Sequence, residues 1–179
     1  MHYLYSARWR ALKMKHTLFI FIILLLSTLE TLACSCGELD PISKSDYESA
    51  GEIFIGRVTK IVENRENWKK TVTFEIIDQL KTDKQTKEIT ILTALDGGAC
   101  GLSVKEGDKW YIFTYHNDKK ELVAGLCGRS VNLDKKFRIK HYGLKYAYLE
   151  KRAWKKDYRR YKKEKQFINR IKKRHANTV

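Results

Sequence analysis

The chain has 179 residues, with 36 Lys and Arg against 21 Asp and Glu and a formal net charge of +15. That length suits one domain with extensions rather than a multidomain assembly. The charge is unevenly placed: residues 1–33 carry four basic and one acidic residue, 34–133 carry 14 and 16, and 134–179 carry 18 and four. An electrostatic case for an anionic partner therefore concerns the last segment and excludes the near-neutral middle.

In chain order, Arg8, Arg10, Lys13 and Lys15 precede an apolar run from Leu18 to Leu26, followed by Ser27 to Ala33. A basic region, a short apolar region and a small-residue end predict a secretory signal peptide over 1–33. The run falls short of the about 20 residues a membrane helix needs; an uncleaved anchor reaching Leu32 is the alternative. Thr31 and Ala33 suit ordinary signal peptidase. A lipoprotein peptidase, which also cuts before cysteine, would prefer Leu where Thr31 stands and a small residue where Leu32 stands. Either cut makes Cys34 the first residue, but lipidation would consume its thiol.

Cys34, Cys36, Cys100 and Cys127 all follow this leader. An even cysteine count in an exported chain predicts an oxidising compartment and two disulfides. A Cys34–Cys36 bond would close a very tight ring and is set aside; spacing does not choose between the other two connectivities.

Ser43 to Ala50 offers capping residues and a short helix begun at Ser43 or Ser45. Glu52–Val62 is rich in β-branched and aromatic residues and predicts a strand, with Gly56 marking a bulge or sharp coiling. Further strands are predicted over Trp68–Leu80, where Val72, Phe74 and Ile76 alternate with polar residues, then over Glu88–Thr93, Lys109–Tyr115 and Glu121–Leu126. Asp96–Gly101 is a glycine-rich turn, and 116–119 a hairpin turn. Five short strands and one early helix predict a small β-barrel over 34–133.

From 134 to 179 the chain changes character. Leu144, Tyr148, Trp154, Tyr158, Tyr161, Ile168 and Ile171 recur at helical intervals among basic residues, predicting a long amphipathic helix, broken at most once. Such a stripe packs on the body of the protein or meets an anionic lipid, polyanion or partner surface.

No catalytic pattern is present. His2, His16, His116, His141 and His175 form no HExxH, zinc-ligand cluster or triad. There is no phosphate loop or dinucleotide fingerprint, and the cysteines lack zinc-ribbon spacing. The chain reads as a binding protein, with no enzymatic activity, intrinsic metal or cofactor expected.

Cys34-Ser35-Cys36, the following helix, Ser49 to Val58 with its Phe54-Ile55-Gly56 core, Gly98-Ala99-Cys100-Gly101 and Leu126-Cys127 together resemble the amino-terminal domain of tissue inhibitors of metalloproteinases. The form is minimal and bacterial-type, over roughly residues 34–133. The resemblance implies a five-stranded OB-fold barrel and disulfides Cys34–Cys100 and Cys36–Cys127. It also implies inhibition of a zinc metalloprotease: the free amine and carbonyl of Cys34 would chelate the protease zinc, and Ser35 would enter the adjoining specificity pocket. Cys36, Gly98 and Ala99 would flank that contact. The six-cysteine second half of the animal inhibitors, and the third disulfide of their inhibitory domain, are absent here. Gly37 replaces a usually bulkier residue. The same barrel occurs in netrin-like modules that bind partners without inhibiting proteases, so a non-inhibitory, envelope-associated binding module (lipid-anchored if Cys34 is acylated) is the second expectation.

Overall fold

The computed structural model describes residues 34, 36–82, 86–134 and 143–176, and the side chains of 148–174 within the last range. The predicted leader, Ser35 and the start of the basic segment at 135–142 lie outside the described residues.

Helix α1, Lys44–Ser49, begins at a capping box. The Asp46 N–H donates to Ser43 Oγ at 3.0 Å, and the Ser43 N–H donates back to Asp46 Oδ2 at 2.8 Å. These contacts satisfy donors that a helix start leaves open. Seven strands follow: β1 Ile53–Asn64, β2 Lys69–Lys81, β3 Glu88–Ala94, β4 Lys109–Phe113, β5 Tyr115–His116, β6 Leu122–Val123 and β7 Val131–Asn132. Helix α2, Gly143–Ala176, is one continuous 34-residue helix. The strands make one sheet, curled into a half-barrel, in the order β5-β6-β3-β2-β1-β4-β7.

The sheet is antiparallel except where β3 meets β6 at Leu92 and Val123. β1 and β2 form its spine. Their register shifts between Ile55 and Gly56 and at two neighbouring places. Gly56 is closely packed there: a Cβ would sit 3.0 Å from the Glu75 carbonyl oxygen and 3.0 Å from the Phe74 Cβ. The shift lets β1 coil while keeping its pairing with both β2 and β4.

The strand count differs from the five expected, for local reasons. The expected strand 109–115 is interrupted at Thr114, whose N–H and hydroxyl both bond the Glu52 carbonyl. The expected strand 121–126 pairs only over Leu122–Val123. β7 arises in a stretch with no strand signal, because Val131 and Asn132 pair with Tyr111 and Trp110.

The first half of β1 and nearly all of β4 are buried on both faces. Phe54, Val58, Trp110 and Ile112 point into the curl of the sheet and join Val72, Phe74, Ile89, Ile91 and Leu102. Phe54 and Phe74 meet edge to face, with ring centroids 5.6 Å apart. Ile53, Ile55, Tyr111 and Phe113 point the opposite way into a second core with Ala50, Leu80 and Val131, closed by Tyr161 and Ile168 of α2. From Cys34 onward the described residues belong to one compact unit. Helix α2 supplies the cover for a sheet face that would otherwise expose large apolar side chains.

Candidate functional site at the bridged cysteine segment

The disulfides pair Cys34 with Cys100 and Cys36 with Cys127. Sequence separations of 66 and 91 residues mean that each clamps the segment's start to a distant loop. The two loops are themselves joined, since the Leu126 N–H donates to the Cys100 carbonyl at 2.7 Å. The bridges also touch: Cys34 Sγ lies 3.3 Å from Cys127 Sγ. Three strongly separated parts of the chain thus meet around Cys34 and Cys36.

The Asp96–Gly101 turn is shaped to hold its cysteine. The Ala99 N–H donates to Asp96 Oδ1 at 2.9 Å, and the Gly101 N–H to the Asp96 carbonyl at 2.7 Å. Cys100 has φ 64°, in the left-handed region, and a Cβ at Gly101 would lie 2.0 Å from the Ala94 carbonyl oxygen. Only glycine fits beside that backbone, and the Cys100 side chain is bridged to Cys34.

Around the bridges, Cys36, Gly37, Gly98, Ala99 and Leu126 are exposed, while Cys34, Cys100 and Cys127 are half-buried. The structure therefore gathers the expected residues Cys34, Cys36, Gly98 and Ala99 on one side of the molecule. Ser35 lies outside the described residues. Leu126 was quoted with Cys127 in the sequence reading but given no role in the contact. It is 46% exposed, an apolar side chain held beside both bridges, and its place next to Cys127 was the available signal.

Cys34, Cys36 and Cys127 place their sulfurs within 4.8 Å of one another, a spacing that would suit a metal among free thiols. All three are in disulfides, and a disulfide sulfur lacks the thiolate that binds metal. The cluster is a double staple.

Behind it lies a charged network that sequence reasoning also missed. Arg129, two residues after Cys127, is buried. Its Nη1 donates to Glu164 Oε1 at 2.8 Å and to the Asp40 carbonyl at 3.0 Å, and its Nη2 to Asp46 Oδ2 at 3.1 Å. The Tyr111 hydroxyl donates to Glu164 Oε2 at 3.1 Å. One guanidinium therefore ties the segment after Cys36, the cap of α1 and the buried face of α2. Burial pushes the Glu164 carboxyl up, although Arg129, Arg160 and Tyr111 pull against it. Burial, then the neighbouring Glu164, pushes the Tyr111 hydroxyl far up. The Asp46 carboxyl is held below its ordinary range, chiefly by the Ser43 N–H. A signal for Glu164 did exist: it is a carboxylate in a cationic stretch, on the helix face that also carries Tyr161 and Ile168. Nothing local marked Arg129.

On the outer side, Lys156 pairs with Glu38. A groove of about 730 Å³ runs between residues 37–42 and α2. Among the described residues, no helix is long and apolar enough to cross a membrane. No family model matches the chain, and no curated protein matches it.

Proposed function

We propose that the chain is an exported inhibitor of zinc metalloproteases that acts through the amine and carbonyl of Cys34 once residues 1–33 are removed. The observation that carries this reading is the convergence of both disulfides, and of the two loops they reach, on Cys34 and Cys36. A catalytic zinc keeps an open coordination position. An α-amine and the carbonyl of the same residue form a five-membered chelate that fills it. The amine binds when neutral, and its ordinary pKa of about 7.7–8.0 makes that form accessible near neutral pH. Two bridges fix the chelate beforehand, which lowers the ordering cost of binding. In this reading Ser35 enters the specificity pocket, while Gly98, Ala99 and Leu126 make the flanking contact.

We read the sheet as an OB-type barrel. β4 and β5 are separated by Thr114 alone. Taken as one strand, they pair with β1 at one end and with β6 at the other, and β6 runs parallel to β3. That reading gives five barrel strands with β7 as an added edge.

Intact mass and amino-terminal sequencing of the exported protein test the first requirement: Cys34 should be the first residue, with a free amine and two disulfides. Titration against a panel of zinc endopeptidases should then give tight inhibition, abolished by one alanine added before Cys34. An acylated or uncut terminus, or inhibition that survives the added alanine, overturns the mechanism.

A further inference from the structure

Helix α2 uses one face to close the core and leaves another strongly cationic. Between 151 and 174 its carboxylates are Asp157 and Glu164. Asp157 pairs with Arg160, and Glu164 is buried against Arg129. Every exposed residue in this span is Lys or Arg except Ala153, Gln166 and Asn169. At 3.6 residues per turn, Arg152, Lys156, Arg159, Lys163 and Arg170 fall in a sector of roughly 60°, and at 1.5 Å per residue the row runs roughly 27 Å.

Some of these cations are occupied: Lys156 meets Glu38, Lys162 lies over the Tyr158 ring and Lys172 donates to the Gln79 carbonyl. Among the described residues, Arg159, Lys163 and Arg170 have no such partner. These three also line the groove against Gly37–Ile42. Arg159 and Lys163 are four residues apart, a like-charge spacing that costs an isolated helix roughly 0.2–0.5 kcal/mol. The row is therefore not explained by the helix's own stability, and Arg159, Lys163 and Arg170 have no carboxylate paired with them among the described residues.

We propose that this face binds a linear, acidic polysaccharide laid along α2, with its anionic groups at Arg159, Lys163 and Arg170. The chemistry selects this partner. A one-signed row with spacings of one and two turns matches a chain of repeated anionic groups. A lipid surface would be gripped by apolar side chains on the same face; the exposed Tyr148 and Leu149 lie near the start of α2, whereas around Arg159, Lys163 and Arg170 the exposed part of 151–174 offers nothing apolar larger than Ala153. Two disulfides place the folded chain in an oxidising compartment, where nucleic acid is not the resident polyanion. The proposal uses none of the residues assigned to zinc chelation and holds whatever Cys34 does.

The test uses the full exported chain and heparin as the probe, titrated between about 50 and 200 mM salt. Logarithmic affinity should fall linearly with logarithmic salt. The Arg159→Gln/Lys163→Gln/Arg170→Gln variant should bind roughly tenfold or more weakly, with a slope smaller by about two, from three lost contacts at ~0.7 each. A control of equal charge loss on the barrel, Lys60→Gln/Lys105→Gln/Lys119→Gln, should bind within about twofold of the parent. Lys163→Glu alone should weaken binding, and serves if the triple variant folds poorly. The proposal is overturned if heparin does not bind at low salt, or if the barrel control loses as much as the helix variant. It is equally overturned if duplex DNA or vesicles of phosphatidylcholine and phosphatidylglycerol bind more tightly than heparin at the same salt.

Discussion

Replacing Arg129 by Met tests the charged network that joins α2 to the segment after Cys36. The side chains of Arg129 and Glu164 are 6% and 2% exposed, so solvent screens neither. Breaking a buried pair by removing one partner costs about 3–5 kcal/mol, because the remaining charge is left without compensation. Here the loss would also strip a donor from the Asp40 carbonyl and from Asp46. R129M should therefore lose about 3–5 kcal/mol in urea denaturation near neutral pH. Glu164→Gln keeps an acceptor for the Tyr111 hydroxyl and leaves Arg129 its contact with Asp46, so it should cost about 1–3 kcal/mol. The double variant contains no uncompensated carboxylate at 164. Its loss should fall short of the summed single losses by roughly 2 kcal/mol, within the range of coupled neighbours. The pH dependence gives a second signature. In R129M the Glu164 carboxylate loses its cation, so the folded state prefers the protonated acid even more strongly. The R129M penalty should shrink as pH falls through the raised Glu164 pKa, where that proton binds. Additive losses across the cycle, or a penalty independent of pH, would refute the assignment.

Three other outcomes follow from the packing and titration. Ile168 is fully buried between α2 and the sheet, so Ile168→Ala should lower stability by about 2–5 kcal/mol in the same denaturation assay; a loss below about 1 kcal/mol would show that the helix does not close the second core. With Cys34–Cys100 intact, the Cys36–Cys127 bridge closes a loop of roughly 30 residues in the unfolded chain, worth about 3–4 kcal/mol by chain entropy, so replacing Cys36 and Cys127 by serines should lower the thermal midpoint in a calorimetric scan. In the parent protein, Glu164 is raised and Asp46 lowered. The folded state holds the Glu164 proton more tightly than the unfolded chain does, so this contribution is present below the ordinary carboxylate range and fades as pH rises through the raised pKa. The Asp46 contribution is present above its ordinary range and fades as pH falls through the lowered pKa. Stability measured against pH should lose its alkaline-side decline in Glu164→Gln and its acid-side decline in Asp46→Asn.

The local elements were legible because local physics determines them. Alternation along 72–76, turn residues at 96–101, the interrupting Gly56 and the helical recurrence of aromatic and aliphatic residues after 143 each report a backbone preference or period within a few neighbours. The Cys34-Ser35-Cys36 stretch could be singled out in the same way, by its position after an apolar run. The unbroken apolar runs Ile53-Phe54-Ile55 and Trp110-Tyr111-Ile112-Phe113 carried more than was read from them. A strand without alternation is a strand buried on both faces, and that implies a cover. The cover is α2, but its identity depends on contacts between residues distant in the chain, such as Tyr111 with Tyr161 and Glu164, for which no period exists in the sequence.

Tertiary structure alone decided the remaining features. β7 exists because β4 offers it an edge, since Val131 and Asn132 have no strand signal of their own. Cys34–Cys100 and Cys36–Cys127 could not be derived from spacing, because a bridge depends on which loops the sheet brings within reach. Arg129 looks like a polar residue closing a loop until the fold surrounds it with Asp40, Asp46 and Glu164 and removes the water. Burial on both sides, and not residue type, turns that arginine into the joint between the long helix and the segment after Cys36.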